Sequence, residues 1–185
     1  MRILYPVKKK HSFKENAVEI LPEMFDNMTK YRESVIAHPR MKLLLHRMRI
    51  TGKPMRYLME IMEPSLGREF SKCLHEIKGI IELMGDIHDS DVFVYELKEH
   101  LKEFREFNRT KENRKDRFVT SGVMKLIEKL SHKRKKDFDH LCGIIKRLEN
   151  ENFRNRLIES MRSDKTNEIN YFQPGNRLNR ENGRK

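Results

Sequence analysis

Along residues 127–148 the apolar side chains Ile127, Leu130, Phe138, Leu141, Ile145 and Leu148 fall at helical steps, and a single cation, Arg134, stands in their row. Such spacing places them on one face of an α-helix for more than five turns of about 3.6 residues each. A helix of that kind gains most of its stability by packing its apolar stripe against other helices. No segment of the chain alternates apolar and polar residues as a half-buried strand would. Apolar and charged residues each make up 37% of the chain, with only 8 Gly and 6 Pro, which suits a helical bundle and not a disordered polymer. At 185 residues the chain is long enough for one domain with a sizeable core.

The expected architecture is an all-α, antiparallel, four-helix-type bundle with long helices. Ser12-Phe13-Lys14-Glu15 has the form of a capping box, and Val18, Leu21, Met24 and Met28 follow at helical spacing, which predicts a first helix over 12–36. His38-Pro39 ends it, and Pro39 opens a second helix to about Glu63. Ser65 is the expected N-cap of a third helix, carried by Leu66, Phe70, Leu74, Ile77, Ile81 and Met84 and closing near Gly85. Residues 86–89 read as a turn, and Phe93, Leu97, Leu101 and Phe104 mark a fourth segment to about 107. A polar basic linker over 108–116 precedes the long last helix, which Thr120 or Ser121 can cap. The domain plan is a basic N-terminal leader over 1–11, the bundle over 12–162, and a polar tail over 163–185 that is expected to be disordered.

A formal charge of +12 exceeds the magnitude of about 2 to 8 that solubility asks of a small domain, and it favours a polyanionic partner. Net charge alone does not separate nucleic acid, an anionic membrane surface and inorganic polyphosphate. Cys73 and Cys142 stand apart from any CxxC or Cys/His cluster, so neither a zinc site nor a disulfide framework is suggested. With no apolar run long enough for a membrane span and no apolar leader, the expectation is a cytoplasmic protein that needs no cofactor.

The charge has a local focus. In the stretch LHRMRITGKPMRYLMEI (residues 45–61), His46, Arg49, Lys53 and Arg56 lie within about 80° on the helix, beside the core face of Leu44, Met48, Met55, Met59 and Met62. Lys42 and Glu60 share that sector. A solvated helix face normally mixes signs for i,i+4 pairing, yet no acid lies between Lys42 and Arg56. Arg134 points with the apolar stripe of the last helix and therefore needs an acidic partner, Asp89 or Glu82, or a bound anion. Lys133, Lys136 and His140 form a neighbouring stripe that is equally readable as solvated surface. Lys78 flanks the apolar face of the third helix, where a salt bridge is as good an account as function.

Taken together, L45-H46-R47-M48-R49-I50-T51-G52-K53-P54-M55-R56-Y57, M84-G85-D86-I87-H88-D89 with Val92, and L130-x3-R134-x6-L141-x3-I145 resemble the CHAD domain, a conserved-histidine α-helical domain whose members bind inorganic polyphosphate. The resemblance spans about residues 14–162 and implies one CHAD-like repeat with a polyphosphate-binding set of Lys42, His46, Arg49, Lys53, Arg56, Lys78, Lys133, Arg134 and His140. It implies no catalytic residue and no metal. Pro54 stands where the family usually has a second basic residue, and one copy of the signature is present where the family has two. A homodimer would rebuild the two-lobed groove.

Two other readings remain open at this level. His88-Asp89 is an HD dipeptide in a chain that also holds His46 and His75, as in metal-dependent HD-type phosphohydrolases. Sequence-independent binding to a nucleic-acid backbone is the other. The chain has no Trp, and Tyr57 is the aromatic nearest the stripe, which offers little for base stacking along it.

Overall fold

A computed structural model describes residues 5–162, and the expected tail over 163–185 lies outside them. Within the described residues the chain forms six α-helices: α1 (Phe13–Thr29), α2 (Arg32–Ala37), α3 (Lys42–Met62), α4 (Arg68–Arg109), α5 (Ser121–Asn150) and α6 (Phe153–Arg162). No strand occurs among them, in agreement with the all-α expectation. α4 is the spine: α3 and α5 pack on it, α1 lies against α3, and α6 closes the bundle against α4, α1 and α5.

Each helix buries the stripe its sequence carries. α1 contributes Leu21, Met24, Phe25 and Met28, α3 contributes Leu45, Met48, Met55, Met59 and Met62, and α4 contributes Phe70, Leu74, Ile77, Ile81, Met84 and Ile87. Unbranched methionines fill the irregular space where three helices meet. The capping box forms as its residues suggest: the Ser12 hydroxyl accepts from the Glu15 N–H at 3.2 Å, and the Glu15 carboxylate accepts from the Ser12 N–H at 2.6 Å.

Four boundaries differ from the sequence expectation, each for a physical reason. The predicted first helix divides at Lys30-Tyr31, where the Thr29 hydroxyl donates back to the Phe25 carbonyl at 2.9 Å and the turn closes on itself. α3 starts at Lys42 and not at Pro39, and the Pro39 carbonyl instead accepts a 2.7 Å hydrogen bond from Arg134. Ser65 is no cap; its hydroxyl donates to the Met62 carbonyl in a 3₁₀ turn, and Gly67 holds the N-cap position of α4. The third and fourth predicted segments are one helix of 42 residues. Ile87 and Ser90 are buried, so the stripe continues through 86–89, and the roughly 1 kcal/mol that a mid-helix Gly85 costs is outweighed by tertiary burial.

Glycine has a different use in α3. A Cβ at Gly52 would lie 2.5 Å from Ile81 Cδ1 and 2.6 Å from Met28 Sδ, so a side chain there would have to push aside buried side chains of α4 and α1. α3 runs unbroken from Lys42 to Met62 with Pro54 inside it.

The leader is tied to the bundle by one buried amide. Asn16 accepts from the Lys8 N–H at 2.7 Å and donates to the carbonyls of Lys8, His11 and Ser12. The Lys8 and Ser12 carbonyls keep backbone donors, but removing the amide takes the partner from the Lys8 N–H and the His11 carbonyl, and Asn16→Ala is expected to cost about 1–3 kcal/mol. The urea midpoint reports this, with an unchanged slope; an unmoved midpoint would mean that water replaces the amide at no cost.

Candidate functional site

Because α3 and α4 lie side by side, the cationic sector of α3 becomes one wall of a groove whose other wall is α4. The Arg49 guanidinium rests on the bare backbone of Gly85: a methyl group there would sit 3.4 Å from its Nη2. Its buried Nε has no hydrogen-bond partner among the described residues. One turn on, Lys53 is half-buried and, like Arg49, forms no ion pair among the described residues. Arg56 follows, stacked over the Tyr57 ring at 5.0 Å. Its Nε lies 3.5 Å from Glu60, and Lys78 approaches the same carboxylate oxygen from α4 at 3.4 Å. One acid thus stands between two cations, so the row of Arg49, Lys53, Arg56 and Lys78 keeps a positive excess.

At the N-terminal end of α3 the row meets a pair of imidazoles. His46 and His88 face each other edge to face with ring centroids 5.7 Å apart. His88 and Arg49 line the same cavity as His46. The sequence placed His88 in the M84–D89 motif and in an HD dipeptide; its place opposite His46 becomes visible once α4 is continuous.

The remaining nominated cations are set apart from that row. Asp91 is the acid that Arg134 needs, at 3.3 Å from its Nε, in place of the expected Asp89 or Glu82. Asp91 lies seven residues beyond Met84 and four beyond Ile87 on the continuous helix, a relation that a turn at 86–89 conceals. Arg134 also lies over the Phe138 ring at 5.1 Å and ties α5 to α4 and to Pro39. Lys42 shares Asp91 at 3.5 Å. Lys133 is hydrogen-bonded to Asp137 at 2.6 Å and lies 3.5 Å from Asp86; the Asp137 bond raises its pKa above the ordinary lysine value. His140 borders a separate cavity with His75, Glu82 and Asp86, between α4 and α5. The geometry therefore gathers His46, Arg49, Lys53, Arg56 and Lys78 into one groove, sets Lys42 and Arg134 at its end, and leaves Lys133 and His140 on another side of α4.

A hydrolytic metal centre needs several ligands converging on one point. Among the described residues no three His, Cys, Asp or Glu side chains are so placed. His88 Nδ1 lies 3.9 Å from its neighbour Asp89, while His75 lines the cavity of His140. No described helix is long and apolar enough to cross a membrane.

The model of the CHAD domain matches residues 7–98, about half of the chain. The chain belongs to the CHAD domain family. The match takes in α1, α2, α3 and most of α4, and hence both walls of the groove. CHAD domains are associated in general with polyphosphate binding and are generally regarded as binding domains without catalysis. No curated protein and no solved structure matches the chain at a significant level.

Proposed function

We propose that this CHAD domain binds inorganic polyphosphate in the α3–α4 groove by electrostatic capture, without chemistry on the chain. The observation that carries the reading lies at the middle of the row: Arg49 holds a buried Nε with no partner among the described residues, and Lys53 beside it forms no ion pair among them. Ordinary surface cations are hydrated or paired, and a buried guanidinium nitrogen without an acceptor is costly unless a ligand supplies one. Arg49 and Arg56 offer forked donors to phosphate oxygens, Lys53 and Lys78 act as point charges, and His46 and His88 add donors that depend on pH. From His46 to Arg56 the row extends about 15 Å along the helix, a length suited to a chain of phosphates rather than to one small anion.

Competition at one ionic strength tests the reading, with long-chain polyphosphate, short phosphates and single-stranded nucleic acid offered against each other. Long-chain polyphosphate is expected to win. Changing Lys53 and Arg56 together to Ala should weaken its binding at least tenfold, whereas Lys125→Ala, on exposed α5, should change it less than twofold. Equal losses would show diffuse attraction to a basic surface and no site, and preferential capture of nucleic acid would transfer the groove to that ligand.

A further inference from the structure

The end of the groove near the start of α3 is built differently from the rest. A cavity of about 390 Å³ opens there, with Leu43, Val92 and Tyr95 on its walls beside the rings of His46 and His88, and with Arg49 at the boundary to the cationic row. Leu43 and Tyr95 are 57% and 61% exposed, so apolar and aromatic surface stands in water directly beside Arg49, which forms no ion pair among the described residues. An inorganic phosphate chain has no apolar surface and gains nothing from those walls. Apolar and aromatic walls, a few convergent polar groups and a volume in the range of about 300 to 1,000 Å³ are what sites for small organic ligands have in common.

We propose that this cavity takes the planar ring of a nucleoside polyphosphate whose phosphates run from Arg49 along the groove past Lys53 toward Arg56. This rests on the groove being a phosphate site and adds an organic head to the ligand class. Tyr95 and the two imidazoles supply ring faces, and stacking of a base on aromatic side chains is tolerant of base identity. Asp91, the carboxylate at the rim, is already engaged by Lys42 and Arg134, so it is not free to read a base edge. The site thus distinguishes a phosphate chain with a ring from one without, and not one base from another. From Arg49 to Arg56 is two helical turns, about 10 Å, enough for a short phosphate chain to reach successive cations.

The test is displacement of labelled long-chain polyphosphate from the full chain by ATP and by inorganic triphosphate in the same magnesium-free buffer. Esterification leaves ATP with one ionisable oxygen fewer than triphosphate, so pure electrostatics ranks triphosphate first. The cavity reverses the order: ATP is expected to displace at a concentration at least about fivefold lower, the lower edge of what base stacking supplies. Tyr95→Ala should erase the difference and Tyr95→Phe should keep it; Leu43→Ser, on the opposite wall, should reduce it. Equal or weaker displacement by ATP, with triphosphate still active, overturns the cavity assignment alone. Failure of labelled polyphosphate to bind at all overturns the groove reading instead.

Discussion

Raising the salt concentration from 50 to 200 mM, at a pH low enough to protonate His46, is expected to weaken binding of long-chain polyphosphate by about a hundredfold. The figure follows from the number of basic side chains that the fold gathers into one row. His46, Arg49, Lys53, Arg56 and Lys78 face the groove, and a contact to a flexible single-chain polyanion contributes a slope of about −0.7 in log K against log salt. About five contacts give a slope of about −3.5, and a fourfold rise in salt then costs about two powers of ten. Lys42 and Arg134 stand on Asp91 at the end of the groove, and Lys133 and His140 lie on another side of α4, so these four are outside the row. Had all nine nominated residues bound phosphate, the slope would be near −6 and the loss nearer four powers of ten. Titration by fluorescence anisotropy at four salt concentrations separates the two, and a flat response would mean that electrostatic capture is the wrong mechanism.

The difference between five residues and nine marks where the sequence stopped being informative. Helical spacing located α3 and, in two pieces, α4, and the S-x-x-E box started α1 at the residue it named. The sector occupied by His46, Arg49, Lys53 and Arg56 was also legible, because it depends only on the geometry of one helix. What depended on two helices was not. Gly85 carried a helix-ending signal, yet its lack of a side chain serves the flat approach of Arg49, and the burial of Met84 and Ile87 keeps α4 helical around it. With α4 divided at that point, Asp91 lost its register with Met84 and Ile87, and His88 lost its place opposite His46. Similarly, the α5 stripe predicted burial from Ile127 onward, whereas it is buried only from Phe138; the first turns of α5 meet the distal half of α4, where Leu101 is the one buried apolar side chain beyond Ile87. Periodicity reports which face of a helix turns inward, and not how far along the helix the inside extends.

Gly52 tests the contact on which the groove depends, and Gly52→Leu is expected to produce the largest loss of stability of any substitution considered above. A Cβ at this position already falls 2.5 Å from Ile81 and 2.6 Å from Met28, both buried side chains, and leucine adds three further carbons to a closed space. Overpacking of a core costs about 1–3 kcal/mol and sometimes more, and the upper end applies because three helices meet here. For a chain of this length about 3 kcal/mol corresponds to a fall in Tm of roughly 6–12 °C. Helix propensity works in the opposite direction, since replacing glycine inside a helix gains up to about 1 kcal/mol, and Gly79→Ala isolates that term. Gly79 is exposed on α4, and a methyl group there would have nothing within 4 Å, so its replacement should raise Tm slightly. A Gly52→Leu protein that melts with the parent would show that α3 can move away from α4 at little cost. In that case polyphosphate affinity becomes the sharper reading: the Arg49 guanidinium is held against Gly85 only while the two helices stay close, so a displaced α3 should bind more weakly even in a protein that remains folded.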